Sequence, residues 1–376
     1  MPTALLAGAF GQGNLGDDTL LRAFVGALPD WHLTVTTHNP AEAAALGCEP
    51  VRTNRPEAVG RAAAKADAIV VGGGTIFKTM HPQAGRRPHA LLANVAALGA
   101  TSALRGRPLA LVGVGASDLT DWRSRALARF IVRRCDLLVL RDEESTDALT
   151  RAGAHGPFRV GADPAWTLLR PLEARPSHDS SVLVVPSTYA VAADGWDGMV
   201  RRVTDTVGHL LDAGLRVHLQ VWQRPTPATP IDDERIVRAL RHRFGRSLVV
   251  LPTPSSLADA VRVMADMGTV VSFRLHALIA AAAAGVPTVA VAHEAKLGAL
   301  ARRLEQRVAP VDFEPADLAK LVLLQLASPA PGPAMVKEQI DLADEGFRLL
   351  RVLLSGGHSD ESDRLGALPL TPAPPQ

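Results

Sequence analysis

Short apolar runs rich in Val and Leu alternate with helical stretches along almost the whole chain, and that alternation restricts the fold to parallel sheets covered on both faces by helices. In the first half the runs Thr3–Ala9, Leu33–Thr37, Ala68–Val71, Leu109–Val114, Leu137–Leu140 and Phe158–Val160 read as strands. Helices are expected between them over Asp17–Leu28, Pro56–Ala66, Pro88–Leu104, Trp122–Arg133 and Glu143–Ala152. Residues 170–180, RPLEARPSHDS, break the pattern with prolines and polar side chains. It then restarts with strands at Val182–Val185, Arg216–Val221, Leu248–Leu251, Thr269–Ser272 and Thr288–Val291. Helices are expected there over Gly195–Ala213, Asp232–Phe244, Ser256–Ala265, Leu275–Ala284 and Leu297–Leu304. The expected organisation is α/β: a parallel-sheet domain over 1–170, a linker over 171–180 and a second parallel-sheet domain over 181–330. A last helix, within 335–354, has Ile340, Leu342, Phe347, Leu350 and Val352 to bury and is expected to cross back onto the first domain. Residues 355–376 have the composition of a disordered tail.

Within this frame the segment 270–296, VVSFRLHALIAAAAAGVPTVAVAHEAK, carries the most chemistry. Arg274 and His276 follow one strand and Lys296 follows the next, and residues just past the carboxyl ends of parallel strands face one crevice. Two fixed positive charges beside a titratable imidazole suit a small, strongly anionic substrate that needs a proton delivered. From residue types alone, a helix-capping Arg, a core His and a surface Lys remain the alternative.

Four further motifs fall at strand-to-helix turns. In GQGNLGDD, 11–18, Gly13 and Gly16 let backbone N–H groups approach a ligand, Asn14 can hydrogen-bond, and Asp17 or Asp18 is expected to cap the helix; a plain capped turn is the alternative. In VVGGGTIF, 70–77, Gly73, Gly74 and Thr75 either bind an anion or let a helix pack closely. GVGASD, 113–118, follows another strand. In LLVLRDEES, 137–145, Asp142, Glu143 and Glu144 suit the first turn of a helix, whereas Arg141 stands where a cap would want an oxygen acceptor.

Composition excludes several classes. A net charge of +2 from 40 basic and 38 acidic residues argues against nucleic-acid binding by bulk charge. Aromatics at 4%, with a single Tyr, leave few stacking platforms for a non-catalytic carbohydrate-binding module. Cys48 and Cys135 are far apart, so neither a metal site nor a disulfide framework is expected, and a reducing cytoplasm fits best. The first residues are too Gly-rich for a signal peptide, and no window of about 18 apolar residues is free of charge, so no membrane span is expected.

The ordered set GNLGDD, GGGT, RDEESTDAL, GADPAW at 161–166, SFRLHAL and a Lys twenty residues after that His resembles the polysaccharide pyruvyl transferase family from about residue 5 to 330. The resemblance implies two Rossmann-like domains facing across a cleft, similar to the GT-B glycosyltransferases. It also implies transfer of the enolpyruvyl unit of phosphoenolpyruvate to sugar hydroxyls, giving a pyruvate ketal and phosphate. Carried over by position, Arg141, Arg274, His276 and Lys296 would line the donor site, with phosphoenolpyruvate as co-substrate and no separate cofactor or metal. His276 is then the expected general acid, and Asp17, Asp163 and Glu294 are candidate bases, Asp163 alternatively orienting a loop. The chain departs from the family at Ala292-His293-Glu294-Ala295, where an aromatic-Asp-Pro run is common, and at Phe77-Lys78, where Gln-Asp is common. The acceptor could be a lipid-linked cell-wall precursor, a nucleotide sugar or a small glycosylated metabolite. A lipid-linked acceptor would suit an enzyme peripheral to the membrane through Arg-rich helices such as 122–134. A GT-B glycosyltransferase using a nucleotide sugar is the competing expectation.

Overall fold

The computed structural model describes residues 1–80, 87–171, 180–189, 195–227, 229 and 231–356. The expected linker lies almost wholly outside the described residues, as does the expected tail from 357. The chain forms two compact units. The first comprises Met1–Gly11, Leu20–Thr167 and the chain from Asp341; the second comprises Gln12–Thr19 and Leu168–Ile340. Residues 12–19 thus cluster with the second sheet, although they follow the first strand.

In the first unit the strands are β1 Thr3–Phe10, β2 His32–Thr37, β3 Glu49–Arg52, β4 Ala68–Gly72, β5 Thr75–Phe77, β6 Leu109–Ala116, β7 Leu137–Leu140 and β8 Arg159–Val160. They form one parallel sheet in the order β3-β2-β1-β4-β6-β7-β8, with β5 paired to the end of β6. β4 is buried along its whole length and nearly all of β6 is, as a sheet covered on both faces requires. The helix Pro333–Leu354 contributes its second half to this unit, where Phe347 packs edge-on against Phe24 with ring centroids 5.0 Å apart.

In the second unit β9 Ser181–Val185, β10 Arg216–Gln220, β11 Leu248–Leu251, β12 Thr269–Ser272, β13 Thr288–Ala292 and β14 Arg307–Pro310 form a parallel sheet in the order β11-β10-β9-β12-β13-β14. The order reverses between β9 and β12, which makes the carboxyl ends of these two strands the natural place for a ligand. The helix Leu275–Ala283, joining β12 to β13, is buried except at His276; its alanines let it lie close on the sheet.

Candidate active site

In the second unit, the loops after β9, β10, β12 and β13 share the carboxyl edge of one sheet. Ser272 shapes the turn after β12: its hydroxyl accepts from the Arg274 N–H at 3.2 Å and donates to the Arg274 carbonyl at 2.7 Å. Arg274 becomes the N-cap of Leu275–Ala283, and His276 lies in that helix's first turn. On the neighbouring strand, Glu294 is the N-cap of the helix Ala295–Arg303 and Lys296 lies in its first turn. Neither N-cap side chain bonds its own helix, and two helix N-termini open at this edge.

The cations are paired. Arg274 donates through Nε to Asp233 Oδ2 at 2.7 Å, and its Nη2 lies 2.5 Å from the same oxygen and 3.1 Å from Gln223 Oε1. The Asp233 carboxylate is fully buried and also accepts from the Thr188 N–H at 2.9 Å and hydroxyl at 3.3 Å. Burial raises its pKa, opposed by the Arg274 charge and the Thr188 donors. Lys296 Nζ lies 2.5 Å from Glu294 Oε2. Pairing of this kind is what desolvation demands of charges removed from water. The sequence marks Arg274 and Lys296 as fixed charges at this edge but gives no sign of Asp233 beyond an Asp-Asp pair before a helix.

The segment Gly13–Asp17 belongs to the same unit. Asn14 forms a bridge with Gln223, the Leu15 N–H donates to the Trp222 carbonyl at 3.3 Å, and the Arg224 N–H donates to the Gly13 carbonyl at 3.3 Å. Asn14, rather than Asp17 or Asp18, caps the helix Leu15–Ala27: its Oδ1 accepts from the Gly16 N–H and its Nδ2 donates to Asp17 at 2.8 Å. The helix starts two residues earlier than expected, which puts both aspartates inside its first turn. A Cβ on Gly16 would come within 2.0 Å of His276 Nδ1, so the glycine is what lets this backbone lie against the imidazole.

Two further residues stand at this edge: Tyr189, with no signal in the sequence beyond its place after a strand, and His293, marked there only by the departure from the family's aromatic-Asp-Pro run. The rings of Tyr189 and His293 meet edge to face with centroids 6.0 Å apart. His293 is 9% exposed, and burial is the main cause of its pKa falling to about 4, with Lys296 and Arg274 adding to the fall and Glu294 opposing it. Against an ordinary value of 6.5, the unfolded chain takes up a proton between pH 6.5 and 4 that the folded one refuses, so stability drops as pH falls through that window. The loss is expected to be about 3 kcal/mol. Replacing His293 by Gln should flatten the acid limb of melting temperature against pH by that amount; an unchanged limb would show that the imidazole is protonated in the folded protein.

Arg141, Asp163, Gly73, Gly74 and Thr75 lie in the first unit. Arg141 is 5% exposed at the end of β7; Nε contacts Asp142 at 3.1 Å, Nη2 donates to Thr75 at 3.3 Å and Nη1 lies 3.6 Å from Asp163. A Cβ on Gly115 would sit 2.1 Å from Nη2, so the glycine of GVGASD makes room for the guanidinium. Asp163 also accepts from the Ala165 N–H at 3.1 Å, which orients the short helix Pro164–Leu168. Of the two readings left open for the triple glycine, close packing holds for Gly73, whose Cβ would meet Leu20 at 2.4 Å, while Gly74 has open space. The structure therefore gathers Gly13, Asn14, Gly16, Asp17, Arg274, His276, Glu294 and Lys296 in one unit and the Arg141 group in the other. Among the described residues no cluster of His, Cys, Asp and Glu could hold a metal ion.

Solved structures of the same fold include the UDP-GlcNAc 2-epimerase of Methanocaldococcus jannaschii, at 13% identity and a TM-score of 0.61 over 95% of this chain and 100% of that one. The Neisseria meningitidis UDP-GlcNAc 2-epimerase bound to UDP-GlcNAc gives 10% identity and 0.58 over 94% and 100%. Anabaena Alr3699/HepE in complex with UDP and glucose gives 12% and 0.58 over 98% and 100%. At such identities the likeness concerns the fold, the two-domain parallel-sheet α/β architecture of GT-B type. No curated protein matches the chain in sequence. The family model for polysaccharide pyruvyl transferases, in contrast, matches from Asn14 in the capped turn to Glu294 beside Lys296, well over half of the residues, and the chain belongs to that family.

Proposed function

We propose that this protein transfers the enolpyruvyl unit of phosphoenolpyruvate to a pair of sugar hydroxyls, forming a pyruvate ketal and releasing phosphate. The observation that carries the proposal is the placement of Arg274, His276 and Lys296 in or beside the first turns of two helices that follow adjacent strands at the carboxyl edge of one sheet. Helix N-termini and cations suit the carboxylate and phosphate of the donor. The His276 imidazolium gives its proton to the methylene carbon, and C2 becomes an oxocarbenium-like centre. One sugar hydroxyl adds to C2 and loses its proton to a base; phosphate leaves with the C–O electron pair; the second hydroxyl adds and loses its proton, closing the ketal. Glu294 is our choice of base, because a donor phosphate drawn to Lys296 competes for the ammonium that Glu294 now holds. Asp17, held by Asn14, and Asp163, held beside Arg141, serve as positioning groups. Phosphoenolpyruvate is a co-substrate here, and the chemistry calls for no further cofactor.

The competing reading, glycosyl transfer from a nucleotide sugar, draws on the fold shared with proteins solved with UDP-GlcNAc or with UDP and glucose. Phosphoenolpyruvate should raise the melting temperature, a ligand at a hundred times its Kd adding about 2.7 kcal/mol of stability, while nucleotide sugars should not. The reverse ranking, with no phosphate released from phosphoenolpyruvate in the presence of any saccharide acceptor, would establish the glycosyltransferase reading instead.

A further inference from the structure

The helix Trp122–Arg134 of the first unit turns Ser124, Ala128, Ile131 and Val132 inward. Its opposite face carries Trp122, Ala126, Arg129, Phe130 and Arg133, spaced i, i+4, i+7, i+8 and i+11 and therefore aligned in one stripe along the helix. Trp122 is 71% exposed and Phe130 43%, and they are the aromatic members of the exposed large hydrophobic residues among those described. The Arg123 guanidinium lies over the Trp122 ring, 5.3 Å from its centroid. The helix has no acidic residue, and among the described residues Arg123, Arg129 and Arg133 form no ion pair. Beside it, the helix Ala90–Arg105 carries Leu104, 87% exposed, in its last turn.

Exposed aromatics interleaved with arginines on one helix face are the chemistry of a surface that lies in the interface of an anionic bilayer. The rings enter the headgroup region, and the guanidinium groups reach lipid phosphates from their apolar stems. We propose that the face formed by Trp122, Arg123, Arg129, Phe130 and Arg133 docks this protein peripherally on an anionic lipid surface. A second copy of the chain is a poorer occupant: a two-fold contact would set Arg129 and Arg133 against their own counterparts, with no carboxylate in the stripe to separate them. The docked end also has a sense. The helix follows β6, so its Trp122 end lies at the carboxyl edge of the sheet, the edge that bears GVGASD and Arg141. A lipid-linked acceptor would therefore be met at the edge where the ligand-bearing loops of this unit open. Docking does not depend on the identity of the donor.

The full-length protein is tested by co-sedimentation with phosphatidylcholine vesicles with and without phosphatidylglycerol, at low and raised salt, following tryptophan emission. Binding is expected only to the anionic vesicles, with a blue shift in emission, and it should weaken as salt rises. The combined Arg123→Gln, Arg129→Gln and Arg133→Gln variant should lose about 100-fold in partitioning. Trp122→Ala should abolish the blue shift. These positions are surface ones, and an unchanged circular dichroism spectrum and melting temperature would show that the variants fold. Absence of vesicle binding at low salt, equal binding to neutral vesicles, or a triple variant that binds as well as the parent would each overturn the proposal. So would sedimentation equilibrium showing a dimer that Trp122→Ala dissociates, which would assign the face to a second copy.

Discussion

Replacing His276 by Gln is expected to lower turnover with phosphoenolpyruvate by a factor on the order of 10²–10⁴ while leaving the fold and much of the donor binding in place. Glutamine fills a similar volume and can hydrogen-bond, but it cannot deliver a proton. In deuterated water the parent enzyme should place one deuterium in the ketal methyl group, since that hydrogen comes from an exchangeable donor. Near-normal turnover in the variant, or a product methyl without deuterium, would remove the proton-transfer step. A loss of thermal stability with no specific effect on rate would mean that His276 is a packing residue. Gly16→Ala offers an independent check, because its methyl group would press on the imidazole from the Gly13–Asp17 turn. It should reproduce part of the rate loss without altering any ionisable group.

Asp233→Ala is expected to destabilise the protein by about 3–5 kcal/mol, read as a shift in the denaturant midpoint with the slope unchanged. The substitution strands the Arg274 guanidinium, 11% exposed, and leaves the Thr188 N–H and hydroxyl without their acceptor. A double variant with Arg274→Met should recover much of the loss, because the uncompensated charge goes with its partner. If Asp233→Ala alone costs less than about 1 kcal/mol, the pair is solvated and the donor site does not inherit a pre-positioned arginine. If Arg274 holds the proposed donor, binding supplies a second readout: Asp233 occupies the Nε and Nη2 edge of Arg274, so such a donor would approach from Nη1 or displace Gln223.

Several strands were legible because they are continuous apolar runs: Leu137–Leu140, Leu248–Leu251 and Thr269–Ser272 begin and end where their sequence suggests. Strands β3, EPVR, and β14, RVAP, were not, since each is short, contains proline and lies at a sheet edge where one side needs no partner. β5 escaped notice because it begins at Thr75, directly after a glycine turn, and runs for three residues. Positions after strand ends revealed Arg274, His276 and Lys296, but periodicity says nothing about which carboxylate comes to meet a cation across the sheet. Asp233 approaches Arg274 from 41 residues away in sequence and Asp163 approaches Arg141 from 22, and neither distance leaves a local trace. Glu294, two residues before Lys296, and Asp142, next to Arg141, were the partners within local reach. The placement of residues 12–19 escaped sequence reasoning for a similar reason: nothing in GQGNLGDD shows that it will pair with the loop after β10 rather than stay with the strand it follows.

That placement sets an order of completion for the chain. The second unit takes residues 12–19 from near the start and is whole once Ile340 has been made. The first unit begins at Met1 yet needs the chain from Asp341, where Phe347 covers Phe24 and Leu350 is fully buried. During synthesis, therefore, the unit that begins first is the one finished last, and Phe24 has to wait for almost the entire chain to emerge before its ring finds the surface that covers it.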